Sequence, residues 1–161
     1  MLRLVSLLIA WLVVSGLAKA AEPTAEKSDL PRIPPTEPKN VIGTFSIREG
    51  FDIQLVASEP LVVDPVAMSF DEHGRLYVVE MIGYSEHRED RLGRVRLLED
   101  ENGDGQFDRS TVFADNLAWP TAVACFDGGV FVGATPDILY LKDTDGDRKA
   151  DERKVALTGF G

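Results

Sequence analysis

Two short acidic loops carry the clearest chemistry in this 161-residue chain. The first reads Asp100-Glu101-Asn102-Gly103-Asp104-Gly105-Gln106-Phe107-Asp108, and the second Asp143-Thr144-Asp145-Gly146-Asp147-Arg148-Lys149-Ala150-Asp151. Oxygen-bearing side chains recur at the first, third, fifth and ninth positions of both. That spacing is the front of an EF-hand-type calcium loop, where a tight turn aims alternate side chains at one centre. Ca2+ is a hard cation that takes about 6–8 oxygens. Asp100, Asn102, Asp104 and Asp108, with the Gln106 carbonyl, form one expected ligand set. Asp143, Asp145, Asp147 and Asp151, with the Lys149 carbonyl, form the other. The bidentate Glu at the twelfth position is absent, since Thr111 and Lys154 stand there, and Arg148 replaces the glycine found at Gly105. Modest affinity is expected, weaker in the second loop. The alternative is two Asp/Gly turns that bind no ion.

Three side chains are candidates for acid–base work. Glu80 ends an apolar run, where desolvation can raise a carboxyl pKa; pairing with a nearby arginine is the competing reading. His87 lies in the charged stretch Ser85–Asp90, where an exposed surface histidine is the competing reading. Asp137 opens another apolar run. Tyr84, Arg88, Asp90, Arg91 and Trp119 are expected on the same side of the molecule as these three. The lone cysteine, Cys125, sits in the run Thr121–Phe126 and reads as a small buried hydrophobe; an exported chain with one cysteine forms no internal disulfide. No CxxCH haem site, nucleotide loop, nucleophile elbow or zinc-ligand cluster occurs.

The elements that hold these residues are short strands punctuated by Asp/Gly turns. Strands are expected near Phe51–Ala57, Val66–Phe70, Leu76–Met81, Arg94–Leu98, Ser110–Ala114, Ala122–Phe126, Val130–Ala134, Ile138–Lys142 and Lys154–Leu157. The class is all-β. An internal repeat organises them: Pro65-Val66-Ala67-Met68-Ser69-Phe70-Asp71 matches Pro120-Thr121-Ala122-Val123-Ala124-Cys125-Phe126-Asp127, and each copy runs on through a Gly turn, two apolar strands, an acidic loop and a fourth strand. The acidic loops begin 43 residues apart and the prolines 55 apart, the difference falling in a charged insertion over 82–93. Four strands at about 40–45 residues is the spacing of a β-propeller blade. The expected fold is therefore a propeller fragment of two four-stranded antiparallel blades, over about 65–117 and 120–160, within a domain spanning 41–161. Two blades cannot close a ring of about 4–8, so the chain is expected to be the opening of a longer protein. A sandwich is the alternative.

Met1-Leu2-Arg3, the apolar run Leu4–Leu17 and Ala18-Lys19-Ala20 read as a signal peptide over 1–20, with an uncleaved anchor as the alternative. Residues 21–40, with five prolines among polar residues, read as a disordered linker. The chain is expected to be exported, to the periplasm or outside the cell, with membrane association left open and no span after cleavage. A formal net charge of −10 argues against nucleic acid or anionic lipid as partners.

The stretches FDIQLVASEPLVVDPVAMSFDEHGRLYVVEM, GRVRLLEDENGDGQFDRSTVFADNL and PDILYLKDTDGDRKADERKVALTGFG resemble the opening of the membrane-bound dehydrogenase domain of planctomycete and verrucomicrobial bacteria. That domain is similar to the glucose/sorbosone dehydrogenases, six-bladed propellers that use pyrroloquinoline quinone (PQQ). The resemblance implies a quinoprotein-type oxidoreductase acting on a sugar or alcohol, with a cytochrome c as electron acceptor. It carries over no catalytic residue, because those of the relatives lie mostly in later blades. A non-catalytic, calcium-stabilised propeller binding a carbohydrate or a protein is the alternative, and a lactonase-like calcium hydrolase the third reading. The two-sided layout of a propeller places the acidic loops on one face and the insertion, with any substrate site, on the other.

Overall fold

The computed structural model describes residues 33–160. The expected signal peptide and residues 21–32 of the expected linker lie outside the described residues. The chain divides into two units, Met1–Pro35 and Thr36–Gly161, and the second holds every element that follows.

A short helix, α1 (Pro38–Val41), and a 3-10 turn (Ile42–Thr44) lead into eight strands. These are β1 (Pro65–Phe70), β2 (Leu76–Glu80), β3 (Gly93–Glu99), β4 (Arg109–Leu117), β5 (Pro120–Phe126), β6 (Gly129–Ala134), β7 (Asp137–Lys142) and β8 (Glu152–Thr158). All eight correspond to expected strands. α1 begins inside the stretch expected as linker, and four residues are too few to show a helical period. Phe51–Ala57, expected as a strand from its alternation, belongs to no sheet. Alternation records which side chains can face a core; a strand also needs a neighbour to take up its backbone groups.

The strands form two sheets, ordered β1-β2-β3-β4 and β5-β6-β7-β8, each an antiparallel meander. The copies share an irregularity: the register shifts between Pro65 and Ala67 in one and between Pro120 and Ala122 in the other. Proline lacks the ladder donor, so the first residue of a strand, at a bulge, is where a sheet tolerates it.

One core joins the sheets. Tyr77, Val79, Val95, Leu97, Phe113 and Leu117 of the first meet Val130, Val132, Ala134, Leu139 and Leu141 of the second. The Tyr77 and Phe113 rings meet edge to face at 5.0 Å, and burial pushes the Tyr77 phenol up to about 12. Ser69 of β1 accepts the Cys125 N–H at its Oγ, and its carbonyl faces the Cys125 Sγ at 3.7 Å. Burial raises the Cys125 thiol above its ordinary pKa, in keeping with a packing residue.

The opposite face of the first sheet carries a second core, Leu76, Val78, Leu98 and Phe107, with Ala57 and Val62 packed on it. β2 is thus buried at every residue. In the register of each sheet, Leu76 and Val78 hold the places that Val130 and Val132 hold in the second copy. The sheets therefore meet through unlike faces, and the pattern of the contact can be repeated from either side. Among the described residues no helix is long and apolar enough to cross a membrane.

Candidate metal centre and the opposite rim

Both acidic loops join the third and fourth strands of their sheets, and they are wound alike. In the first, Asp100 accepts N–H groups from Gly103 at 2.7 Å and Gly105 at 2.8 Å. Asn102 accepts from Asp104 and Asp104 from Gln106, both at 2.8 Å. In the second, Asp143 accepts from Gly146 at 2.7 Å and Arg148 at 2.9 Å, Asp145 from Asp147 at 3.1 Å, and Asp147 from Lys149 at 2.8 Å. Each short carboxylate or amide thus folds the loop over itself and turns the first, third and fifth side chains inward. The N–H of Gly105, ahead of those of Gly103 and its neighbours, holds the Asp100 carboxyl below its ordinary pKa.

The ninth-position carboxylates, expected as ligands, close each loop. Asp108 accepts from the Glu101 N–H and the Asn102 amide, both at 3.1 Å. Asp151 accepts from the Thr144 hydroxyl at 2.6 Å and the Thr144 N–H at 2.9 Å, and those bonds, the hydroxyl's first, lower its pKa. Both residues lash the end of the loop to its beginning. Gln106 and Lys149 are exposed, with their N–H groups committed inside the loop.

In the second loop, one carboxylate oxygen from each of Asp143, Asp145 and Asp147 lies within 4.8 Å of the others. Oxygens sharing a calcium ion at about 2.3–2.6 Å are separated by no more than about 5 Å, so these three fit a hard cation. The first loop has the neutral Asn102 at its third position and brings fewer charges together. Arg148 takes the left-handed backbone (φ 72°) that Gly105 takes in the first loop (φ 88°). Its guanidinium leaves the loop altogether and pairs with Glu99 of β3 at 2.7 Å.

The loops and the first-to-second turns share one rim. His73, Arg75, Glu99, Asp100, Glu101 and Arg148 line a cleft of about 590 Å³ there. His73 itself is exposed beside Glu72.

The other rim gathers the insertion and the link between the sheets. Tyr84 and Trp119 meet at 5.3 Å, and the Arg88 guanidinium lies 5.7 Å from the Trp119 ring centre. Arg91 donates to the Asn116 carbonyl and side-chain oxygen, each at 3.1 Å. Arg153 reaches the Asp115 and Asn116 carbonyls from β8. Gly93 lies so close to Pro120 that a Cβ would run into the proline ring. Arg91, Asn116 and Trp119 all have positive φ, three strained residues in one corner.

The acid–base candidates do not converge. Glu80 is wholly buried. It accepts the Val63 N–H at 2.6 Å, pairs closely with Arg94, and lies 3.4 Å from Arg96. It serves to clip the segment before β1 onto β2 and β3. His87 is exposed and holds Asp90 at 3.0 Å. Asp137 accepts the Thr158 hydroxyl at 2.6 Å, closing the first pair of β7 and β8. Sequence reading missed Arg148 and Asn116 as tethers; both act on partners far along the chain, and no local pattern announces that.

No curated protein and no solved structure matches the chain. Residues 37–161 match the family model described as "Domain of unknown function (DUF7133)", which takes in most of the sequence, and the chain belongs to that family.

Proposed function

We propose that the two sheets are consecutive blades of a β-propeller, and that they form the opening of an exported quinoprotein-type dehydrogenase acting on sugars or alcohols. The stacking of the sheets carries this reading. A sandwich buries its two inner faces and leaves polar residues outside. Here unlike faces meet, and both outer faces remain apolar. Met68 and Phe70 of the first sheet are 67% and 59% exposed, and Phe126 of the second is 63% exposed. A stack that ends in apolar sheets calls for neighbours on both sides, as in repeat architectures.

In this reading the acidic loops hold calcium as structural pins on one rim, and Tyr84, Arg88 and Trp119 form one wall of a site on the other. Flat rings and a guanidinium suit a planar polyanion such as PQQ. The described residues supply no facing wall, and no catalytic step is assigned to them. When bound, a quinone of this kind accepts a hydride from a CH–OH carbon. Dye reduction by the full-length gene product, supplied with PQQ and calcium and tested on a panel of sugars and alcohols, is the direct test. Turnover on at least one is expected, and inactivity on all of them overturns the dehydrogenase.

The same rim favours a second reading, a propeller that binds carbohydrate without chemistry. Tyr84 is 66% exposed and stands against Trp119, as a sugar-stacking platform requires. Binding of an unreacted oligosaccharide, lost in Tyr84→Ala, would decide for it.

A further inference from the structure

Three asparagines occur in the chain, Asn40, Asn102 and Asn116, and one of them stands in a loop built like an acyl-transfer site. Asn102 is followed by Gly103, and both are exposed. The main-chain nitrogen that follows an asparagine can attack the asparagine's amide carbon and close a five-membered imide. Glycine leaves the approach open, because it carries no Cβ. At Gly103, with a φ of 78°, open space lies where a Cβ would be. Val41 and Leu117 follow the other two asparagines, and their side chains crowd the same approach.

The loop engages every group in that reaction. The nucleophile, the Gly103 N–H, donates to the Asp100 carboxylate at 2.7 Å, which draws its proton and enriches the nitrogen. The Asn102 Oδ1, which takes up negative charge as the nitrogen adds, accepts the Asp104 N–H at 2.8 Å. A donor already in place on a developing oxyanion speeds acyl transfer strongly. The leaving nitrogen, Asn102 Nδ2, is held on the Asp108 carboxylate at 3.1 Å. The end of the loop is fastened as well: the Asp108 N–H donates to the Glu99 carbonyl at 3.1 Å and the Phe107 N–H to the Val56 carbonyl at 3.0 Å. The second loop repeats the turn, with the Gly146 N–H on Asp143 at 2.7 Å and the Asp147 N–H on Asp145 at 3.1 Å. It holds Asp145 in the place of Asn102, and a carboxylate repels a nucleophile that a neutral amide admits.

We propose that Asn102 is a self-modification site, at which the folded loop, free of any cation, converts the side-chain amide to an acid. The Gly103 nitrogen bonds to the Asn102 Cγ. Its proton leaves along the hydrogen bond to Asp100 and returns through solvent to the departing nitrogen. The Cγ–Nδ2 bond breaks, ammonia leaves, and a succinimide remains. Water then adds to either imide carbonyl. Opening at the side-chain carbonyl gives an aspartate at position 102, and opening at the main-chain carbonyl gives an isoaspartate. Nothing is oxidised or reduced, and water is the co-reactant. The aspartate product carries carboxylates at the first, third and fifth positions, as the second loop does with Asp143, Asp145 and Asp147. The isoaspartate product lengthens the main chain by one atom and undoes the turn. The reaction needs the loop alone, whatever the sheets assemble into.

Ageing the full chain at neutral pH with a chelator, in native buffer and in concentrated urea, tests it. Peptide mapping by mass spectrometry reads the amide-to-acid change at each asparagine, and chromatography separates the two products. Position 102 is expected to convert at least about tenfold faster in the folded chain than in urea, below the about 10²–10⁴ that a placed proton acceptor contributes in an enzyme. Asn40 and Asn116 keep their amides over the same time. Asp100→Asn should bring the folded rate at position 102 down to the rate in urea. Conversion in the folded chain no faster than in urea overturns the proposal, since the Asn-Gly pair then accounts for it without the fold. An unchanged folded rate in Asp100→Asn overturns the part given to Asp100, and Asn116 converting as fast as Asn102 overturns the site.

Discussion

The first sheet and the second are built to one plan and live in different surroundings. Both are meanders with a proline-led first strand, a bulge after it, and an acidic loop before the fourth strand. The first is covered on one face by the second sheet and in part on the other by Ala57 and Val62. The second buries one face and turns Phe126, Phe131 and Tyr140 outward in a run of ring contacts at 5.8 and 5.1 Å. The difference lies in neighbours and leaves the sheets' own pattern unchanged. A sequence repeat fixes what each unit can bury, and the order of units along the chain decides what it does bury.

The largest test of that comparison strikes the shared face. Phe113→Ala removes a ring that Tyr77 meets edge-on and that is 2% exposed. Loss of about 3–5 kcal/mol is expected, read by urea denaturation. Phe131→Ala, on the outward face of the second sheet, should cost far less in this chain. Equal losses at the two positions would mean that the second sheet is not bare on that side.

Glu80→Gln comes next, and probes the device that only the first sheet has. Removing this charge leaves Arg94 and Arg96 without their buried partner; such breaks cost about 3–5 kcal/mol when both partners are sealed. The two arginine side chains retain 25% and 15% exposure, so solvent screening should bring the loss to about 2 kcal/mol. The same variant should loosen the segment at Val63, seen as faster exchange of that amide.

The eight strands were legible in the sequence because each is bounded by turn residues whose chemistry is local: Asp71–Gly74, Asn102–Gly105, Asp127–Gly128 and Asp145–Gly146. The acidic loops were legible for the same reason. The pairings that hold the sheets to each other and to the preceding segment were not. Val63 with Glu80, Ser110 with Leu61 and Arg148 with Glu99 lie 17, 49 and 49 residues apart, and nothing in the neighbourhood of either partner encodes the other. Arg148 is instructive: by composition it weakens a calcium loop, and in three dimensions it ties that loop to the other sheet. Phe51–Ala57 shows the converse limit, a strand pattern in the sequence that forms no strand among the described residues.

The two loops can be set against each other directly. Calcium at ten times its Kd should stabilise the chain by about 1.4 kcal/mol per loop that binds it only when folded. Asp145→Asn should erase more of that gain than Asn102→Ala, because the second loop brings three carboxylates together. The reverse order, measured by calorimetric titration, would return the first loop to the leading place.

In calcium-free buffer the loops should also answer to acid. The carboxyls of Asp100 and Asp151 are held below their ordinary pKa by hydrogen bonds, so the folded state binds their protons less readily than the unfolded chain does. Their stabilising contribution is complete above the unfolded value of about 3.9 and is lost as pH falls through the lower folded values. Stability followed from pH 7 to pH 2 should decline mainly below about pH 4, and less steeply in Asp100→Asn.

The smallest effect is the sharpest on the difference between the loops. Arg148→Gly relieves a positive φ that costs a residue with a Cβ about 1 kcal/mol, and it loses a partly exposed pair with Glu99 worth about 0–1 kcal/mol. The two nearly cancel, and thermal denaturation should show a change within about 0.5 kcal/mol. Gly105→Ala in the first loop has only the strain, since open space surrounds its Cβ and methyl forms no pair, so a loss of about 1 kcal/mol is expected. A large loss in Arg148→Gly with none in Gly105→Ala would show that the tether between sheets outweighs backbone strain at this turn, and that the second loop owes its arginine to the neighbouring sheet.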